Sequence, residues 1–91
     1  MMDRKSLNVA AAGILQACDA AGEMGAPGGH LYAGLMASGY TFEQYERIMS
    51  ALVQAGTLTK RGECYKLTAK GRALNDQVSA AIAAHKQRRA A

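Results

Sequence analysis

Two short segments rich in β-prone residues flank Gly62 and Glu63, and this pattern constrains the fold more than any other part of the sequence. A glycine in the first position of a two-residue loop favours a type II′ turn, which joins antiparallel strands. Pairing Arg61 with Cys64 places alternate side chains on opposite faces. The face expected to pack against the rest of the chain carries Leu58, Lys60, Tyr65 and Leu67. The sequence therefore predicts a hairpin over residues 57–67 whose other, more basic face points to solvent.

Outside the hairpin, apolar side chains recur every three or four residues, which is the spacing of amphipathic α-helices. The predicted helices span residues 7–21, 29–38, 41–55 and 69–88. Their expected inward positions include Leu7, Met36, Phe42 and Val53. Residues 22–29 hold four glycines and the only proline, so a loop is expected there. The predicted fold class is mainly α with a small β-hairpin, in a single domain of 91 residues.

Four residues near helix boundaries support local predictions. Thr41 and Gln44 have the spacing of a capping box, which would start the third helix. Thr68 is placed to cap the last helix. Gly71 lies inside that helix, where glycine lowers helix stability by about 1 kcal/mol relative to alanine. We therefore expect another segment of backbone to pass close to Gly71.

The order of helix, short helix, turn, longer helix, two-stranded wing and final helix resembles a winged helix-turn-helix domain. Residues 52–59, LVQAGTLT, are similar to the end of a recognition helix followed by an apolar strand. Residues 65–74, YKLTAKGRAL, are similar to the Tyr-x-Leu-Thr-x-Lys-Gly-x-x-Leu pattern that follows the wing in small bacterial regulators of the MarR and PadR kind. The resemblance covers residues 28–74, roughly half of the chain. It implies three helices, a two-stranded wing and a C-terminal helix.

The resemblance also implies a bacterial transcriptional repressor that binds double-stranded DNA. The second helix of the motif would enter the major groove, and the wing would contact phosphates or the adjacent minor groove. The positions of the third helix that would face the DNA are Thr41, Glu43, Gln44, Arg47 and Ser50. Gln44 would pair with an adenine edge and Arg47 with a guanine. The wing residues that would contact phosphates without reading sequence are Lys60, Arg61 and Lys66.

Charge is distributed unevenly along the chain. Residues 57–91 contain eight Lys and Arg residues against two acids, whereas residues 1–56 contain three against five. This asymmetry favours either a polyanionic partner for the C-terminal part or a solvated basic face without a partner. Phosphates repel Glu43 and Glu46 in the third helix. A winged helix that binds only protein is therefore the alternative function.

An apolar, alanine-rich stripe on the last helix predicts a homodimer, because a chain of 91 residues has little other surface with which to cover it. The residues expected at this interface are Leu74, Val78, Ala81, Ile82 and His85. The first helix is a further candidate for the interface. Packing of the stripe on the first helix of the same chain is the alternative. A homodimer would present two recognition helices to a palindromic DNA site.

The sequence contains no nucleophile–base–acid set, no cofactor motif and no pair of Cys or His residues at zinc-finger spacing. An enzyme, a cofactor, a metal site and a small-molecule ligand are therefore not expected. No run approaches the roughly 18 apolar residues that a membrane span needs. Cys18 and Cys64 are expected to be free thiols in a reducing cytoplasm. The residues before Cys18 are also similar to a lipoprotein signal, but Asn8 interrupts the apolar part and Gln16 does not suit the cleavage site.

Overall fold

Apolar periodicity along the chain produces four α-helices and a three-stranded antiparallel sheet within residues 4–90, the part that the computed structural model describes. Side-chain burial is described for residues 7–84. In chain order the elements are α1 (Arg4–Ala21), a 3₁₀ turn (Gly22–Met24), β1 (Ala26–Pro27), α2 (Gly28–Ala37), α3 (Phe42–Gln54), β2 (Leu58–Arg61), β3 (Cys64–Leu67) and α4 (Ala69–Ala90). The predicted mainly helical class is confirmed, and α1 and α4 are longer than predicted.

The hairpin of β2 and β3 has the predicted register. Arg61 pairs with Cys64, and Leu58 pairs with Leu67. Gly62 has a φ of 59°, and no residue other than glycine has a positive φ in the described chain. A positive φ at the first turn position alone is expected of a type II′ turn. The inner face of the hairpin is buried at Leu58 and Leu67 and exposed at Lys60.

The loop predicted over residues 22–29 is wrong in part, because this segment contains a 3₁₀ turn, strand β1 and the start of α2. Ala26 lies opposite Tyr65 and Pro27 opposite Cys64, which makes the strand order β1-β3-β2. Proline is tolerated in an edge strand because no neighbour requires its missing N–H. The predicted two-stranded wing is therefore part of a three-stranded sheet.

The core lies where α1, α3 and the inner face of the sheet meet. Its most deeply buried large side chains are Leu15 and Cys18 of α1 and Ile48 of α3. Four predicted inward positions are wrong, because the side chains of Leu7, Met36, Phe42 and Val53 are 39%, 53%, 51% and 37% exposed. Each of them lies within about one turn of a helix end, where the helix extends past the core.

A hydrogen-bonded junction connects the end of α3 to the start of α4. The buried Thr57 hydroxyl donates to the Leu52 carbonyl at 2.7 Å, and the Thr57 carbonyl accepts from the Thr68 N–H at 3.1 Å. The Thr68 hydroxyl oxygen accepts from the Gly71 N–H at 3.0 Å, which confirms the predicted cap. A Cβ on Gly71 would overlap the Thr57 carbonyl oxygen. The close backbone approach expected at Gly71 is therefore confirmed.

Candidate nucleic-acid interface

The outer face of α3 is polar and carries three of the predicted contact residues. Burial of Tyr45, Ile48, Met49 and Leu52 fixes how the helix is turned. The opposite face exposes Glu43, Arg47 and Ser50 as predicted, together with Glu46. Within residues 7–84, the only ion pair joins two other residues, so neither Glu43 nor Glu46 is paired with Arg47. The face therefore presents one guanidinium group and two carboxylates to a partner.

Two further predicted contacts, Thr41 and Gln44, take part in the start of α3. The Thr41 N–H donates to Oε1 of Gln44 at 2.8 Å, and the Gln44 N–H donates to Oγ1 of Thr41 at 3.2 Å. This reciprocal pair confirms the predicted capping box. Bidentate recognition of adenine needs both polar atoms of a glutamine side chain. Gln44 would have to leave the cap to read an adenine in the predicted manner.

Lys60 and Arg61 are exposed on β2, as expected for phosphate contacts. Because neighbouring residues of a strand point to opposite faces, Lys60 lies on the side of α3 and Arg61 on the other side. The Lys60 Nζ atom lies 5.8 Å from the centroid of the Tyr65 ring, within the range of a cation–π interaction. The hairpin therefore offers one oriented and one freely solvated cation.

Lys66, the third predicted phosphate contact, is engaged within the protein. Its Nζ atom lies 2.5 Å from Oε2 of Glu23 in the 3₁₀ turn. The hydrogen bond and the charge of Lys66 hold the pKa of the Glu23 carboxyl below its usual value. The Glu23 side chain is 84% exposed, so the pair contributes little to stability. It nevertheless neutralises one of the three predicted wing cations.

An open groove that the sequence did not indicate lies between the start of α2, α3 and the hairpin. The Tyr65 ring lines it, as do three further aromatic rings that contact one another. The ring centroid of Tyr32 is 5.1 Å from that of Phe42 and 5.4 Å from that of Tyr45. These ring contacts cover part of the Phe42 side chain, which remains 51% exposed. The sequence signal for this groove was Phe42, a large apolar residue at the first position of α3. Its helical spacing from the other apolar residues of α3 instead favoured a place in the core.

A second open groove lies between α1 and α2, with mostly apolar walls that include Val9, Leu31 and Leu35. Gly13 and Gly34 also line it, and each has open space where a Cβ would stand. The sequence predicted no such groove, because its walls come from helices that a glycine-rich segment separates. The described residues thus contain a concave surface between α1 and α2.

The predicted dimerisation stripe on α4 is partly uncovered. Leu74 and Ile82 are 36% and 39% exposed, Ala81 is exposed and Val78 is half-buried. The His85 side chain lies outside the described residues. α4 also packs against α1 of the same chain, as the intrachain alternative expects. Intrachain packing therefore leaves apolar surface available for a partner.

The remaining chemistry of the described residues is sparse. No group of three His, Cys, Asp or Glu side chains among them is placed to hold a metal ion. Cys18 and Cys64 are free thiols, and burial raises the pKa of the Cys18 thiol to about 11. None of the helices within the described residues is both long and apolar enough to cross a membrane. No protein-family model, curated protein or solved structure matches this chain.

Proposed function

We propose that this protein is a sequence-specific DNA-binding transcriptional regulator of the winged helix-turn-helix type, which acts as a homodimeric repressor in the bacterial cytoplasm. The order of α1, α2, α3, β2, β3 and α4 supports this proposal. Only residues 38–41 separate α2 from α3, and the two helices pack against each other. This arrangement is typical of a helix-turn-helix motif.

The observation that carries the proposal is the continuity between the outer face of α3 and the hairpin. Ser50 of α3 and Lys60 of β2 line the same groove, and Arg47 lies on the exposed face of α3 near Ser50. Within residues 7–84, Lys60 and Arg61 have no carboxylate partner. A duplex against α3 would therefore lie beside Lys60, with Arg61 on the opposite face of the same strand, and such cations position a protein on the DNA backbone.

A mobility-shift titration on random-sequence duplex tests this function. Each neutralised phosphate contributes about 0.9 to the slope of log K against log salt. Arg47, Lys60 and Arg61 therefore predict a slope of about −3 per monomer. Selection of bound sequences from a random pool then tests for a palindromic site. Absence of any shift at low salt, with the protein folded by circular dichroism, would overturn the proposal.

Self-association through α4 is tested by introducing charge into its exposed apolar stripe. We expect Leu74→Glu with Ile82→Glu to produce folded monomers in sedimentation velocity, because an interface does not bury unpaired charge. The matched control is Gln77→Glu with Ser79→Glu, which adds the same charge at exposed polar positions of the same helix. A monomeric wild-type protein, or a stripe variant that remains dimeric, would contradict this expectation.

A winged helix that binds protein rather than DNA is the second candidate function. The exposed carboxylates of Glu43 and Glu46 favour it, as does the partly exposed Phe42 ring beside them. Acids on the helix that should approach phosphates reduce affinity for DNA, whereas a basic partner protein would be attracted to them. Failure of the folded protein to shift DNA would favour this candidate.

A further inference from the structure

The first residue of α2 is the point where α3 and the hairpin turn are connected. The Gly28 N–H donates to the Glu63 carbonyl in the turn of the hairpin at 2.7 Å. The Gly28 carbonyl accepts from the Tyr45 hydroxyl of α3 at 3.0 Å. Through its two backbone groups, a single residue is thus bonded to both parts of the candidate interface.

The packing around Gly28 is tight at the position where a Cβ would stand. A Cβ at this position would stand 3.2 Å from the Tyr45 hydroxyl oxygen, 3.3 Å from the Glu63 carbonyl oxygen and 3.4 Å from Cε2 of Tyr65. The first two distances are shorter than ordinary van der Waals contacts. One of these atoms belongs to α3 and the other to the hairpin turn. A methyl group would therefore require the Tyr45 hydroxyl and the Glu63 carbonyl to shift by a few tenths of an ångström, which strains both hydrogen bonds of Gly28.

The Tyr45 hydroxyl is suited to hold this connection. The Tyr45 side chain is buried, and this burial raises the pKa of its hydroxyl to about 12. The hydroxyl therefore keeps its proton throughout the physiological pH range and remains a donor to the Gly28 carbonyl.

The other connections of the hairpin are to different parts of the molecule. The Thr57 junction connects the base of the hairpin to α3 and α4. Pairing of β1 with β3 and the Lys66–Glu23 ion pair connect the hairpin to the segment between α1 and α2. At the turn end, the contacts of the Tyr45 hydroxyl with the Gly28 carbonyl and with the Tyr65 side chain of β3 are the path to α3. Without them, the turn could move relative to α3 while the base stays in place.

We propose that Gly28 and Tyr45 are positioning residues that fix the hairpin turn relative to α3. Lys60, Arg61 and Arg47 then meet the DNA backbone as one rigid unit rather than as two independently moving elements. This last step rests on the proposed DNA-binding function, whereas the positioning itself does not.

The experiment compares full-length Tyr45→Phe and Gly28→Ala with the wild type. Tyr32→Phe is the matched control, because it removes a hydroxyl from the same aromatic cluster without removing a hydrogen bond to Gly28. Residual dipolar couplings of the backbone amides report the orientation of the hairpin relative to α3. In the control, we expect the couplings of α3 and of the hairpin to fit a single alignment tensor with the wild-type orientation of the two elements. In Tyr45→Phe and Gly28→Ala, we expect the couplings of the hairpin not to fit that orientation. Tyr45→Phe retains the ring, so the test stands even where Gly28→Ala does not fold.

The DNA measurement separates the positioning from the function. If the hairpin no longer reaches the DNA backbone, the slope of log K against log salt becomes less steep by about 2 per monomer in Tyr45→Phe. This change corresponds to two lost phosphate contacts. A wild-type hairpin orientation in Tyr45→Phe overturns the inference, as does a wild-type slope when the wild type binds DNA. Absence of DNA binding by the wild type overturns the proposed function alone, and the couplings then decide the positioning role.

Discussion

Replacement of Gly71 with alanine is expected to lower the free energy of unfolding by about 3 kcal/mol. The new Cβ would overlap the Thr57 carbonyl oxygen, and this carbonyl also accepts the Thr68 N–H. Separating the two backbones would weaken that bond and the Thr68 cap of α4. Alanine returns only about 1 kcal/mol through its higher helix propensity. Because a domain of this size is stable by about 5–13 kcal/mol, the loss is large.

Thermal and urea unfolding check this prediction, and we expect a decrease in midpoint of about 15 °C. Gly13→Ala is the matched control, because Gly13 is also helical but has nothing within 4 Å of its Cβ position. There the same substitution should stabilise the protein by about 0.5–1 kcal/mol. A Gly71→Ala variant as stable as the wild type would show that the backbones do not approach so closely.

Reversal of both wing charges, Lys60→Glu with Arg61→Glu, is expected to weaken DNA binding by about 100-fold or more. A charge-assisted hydrogen bond contributes about 1.5–3 kcal/mol, so the loss of two such contacts alone accounts for a change of this size. Repulsion between the new carboxylates and the phosphates adds to it. Because both side chains are exposed, the stability of the fold should change little. Mobility shift at several salt concentrations measures the affinity and the slope.

The control for this variant is Lys70→Glu with Arg72→Glu, which reverses two exposed charges in the first turns of α4. Both double variants change the net charge by the same amount, so only the location of the charges differs. We expect the α4 variant to bind several-fold less tightly, through long-range electrostatics alone. Equal losses of DNA affinity in the two variants would mean that affinity depends on net charge and not on the position of the charges in the hairpin.

Local patterns in the sequence predicted the parts of the fold that depend on neighbouring residues. Gly62 fixed the turn and the register of the hairpin, and the spacing of Thr41 and Gln44 identified the start of α3. Gly71 revealed a tertiary contact because it is an unfavourable residue inside a helix. Strand β1 could not be predicted, because it has two residues, one of them Pro27, and its partner strand is far along the chain.

The sequence predicted which residues of the candidate site are exposed. It did not predict which of their charged groups are free to bind a partner. Alternation and helical spacing correctly placed Arg47, Ser50 and Arg61 at exposed positions. The engagement of Lys66 depends on Glu23, which is 43 positions away, and no local pattern connects the two. The groove beside α3 likewise arises from the packing of three separate elements. Interactions formed by folding therefore decide which of the predicted groups can meet a partner.

The strand order also determines how these molecules behave at high concentration. β3 lies between its two neighbours, so the outer edges of the described sheet belong to β1 and β2. Exposed strand edges promote aggregation unless proline or charged residues interrupt them. Pro27 stands on one edge, and Lys60 and Arg61 stand on the other. Lys60 and Arg61 therefore also oppose edge-to-edge association along β2. Reversing their charges would keep this protection, whereas apolar substitutions would remove it.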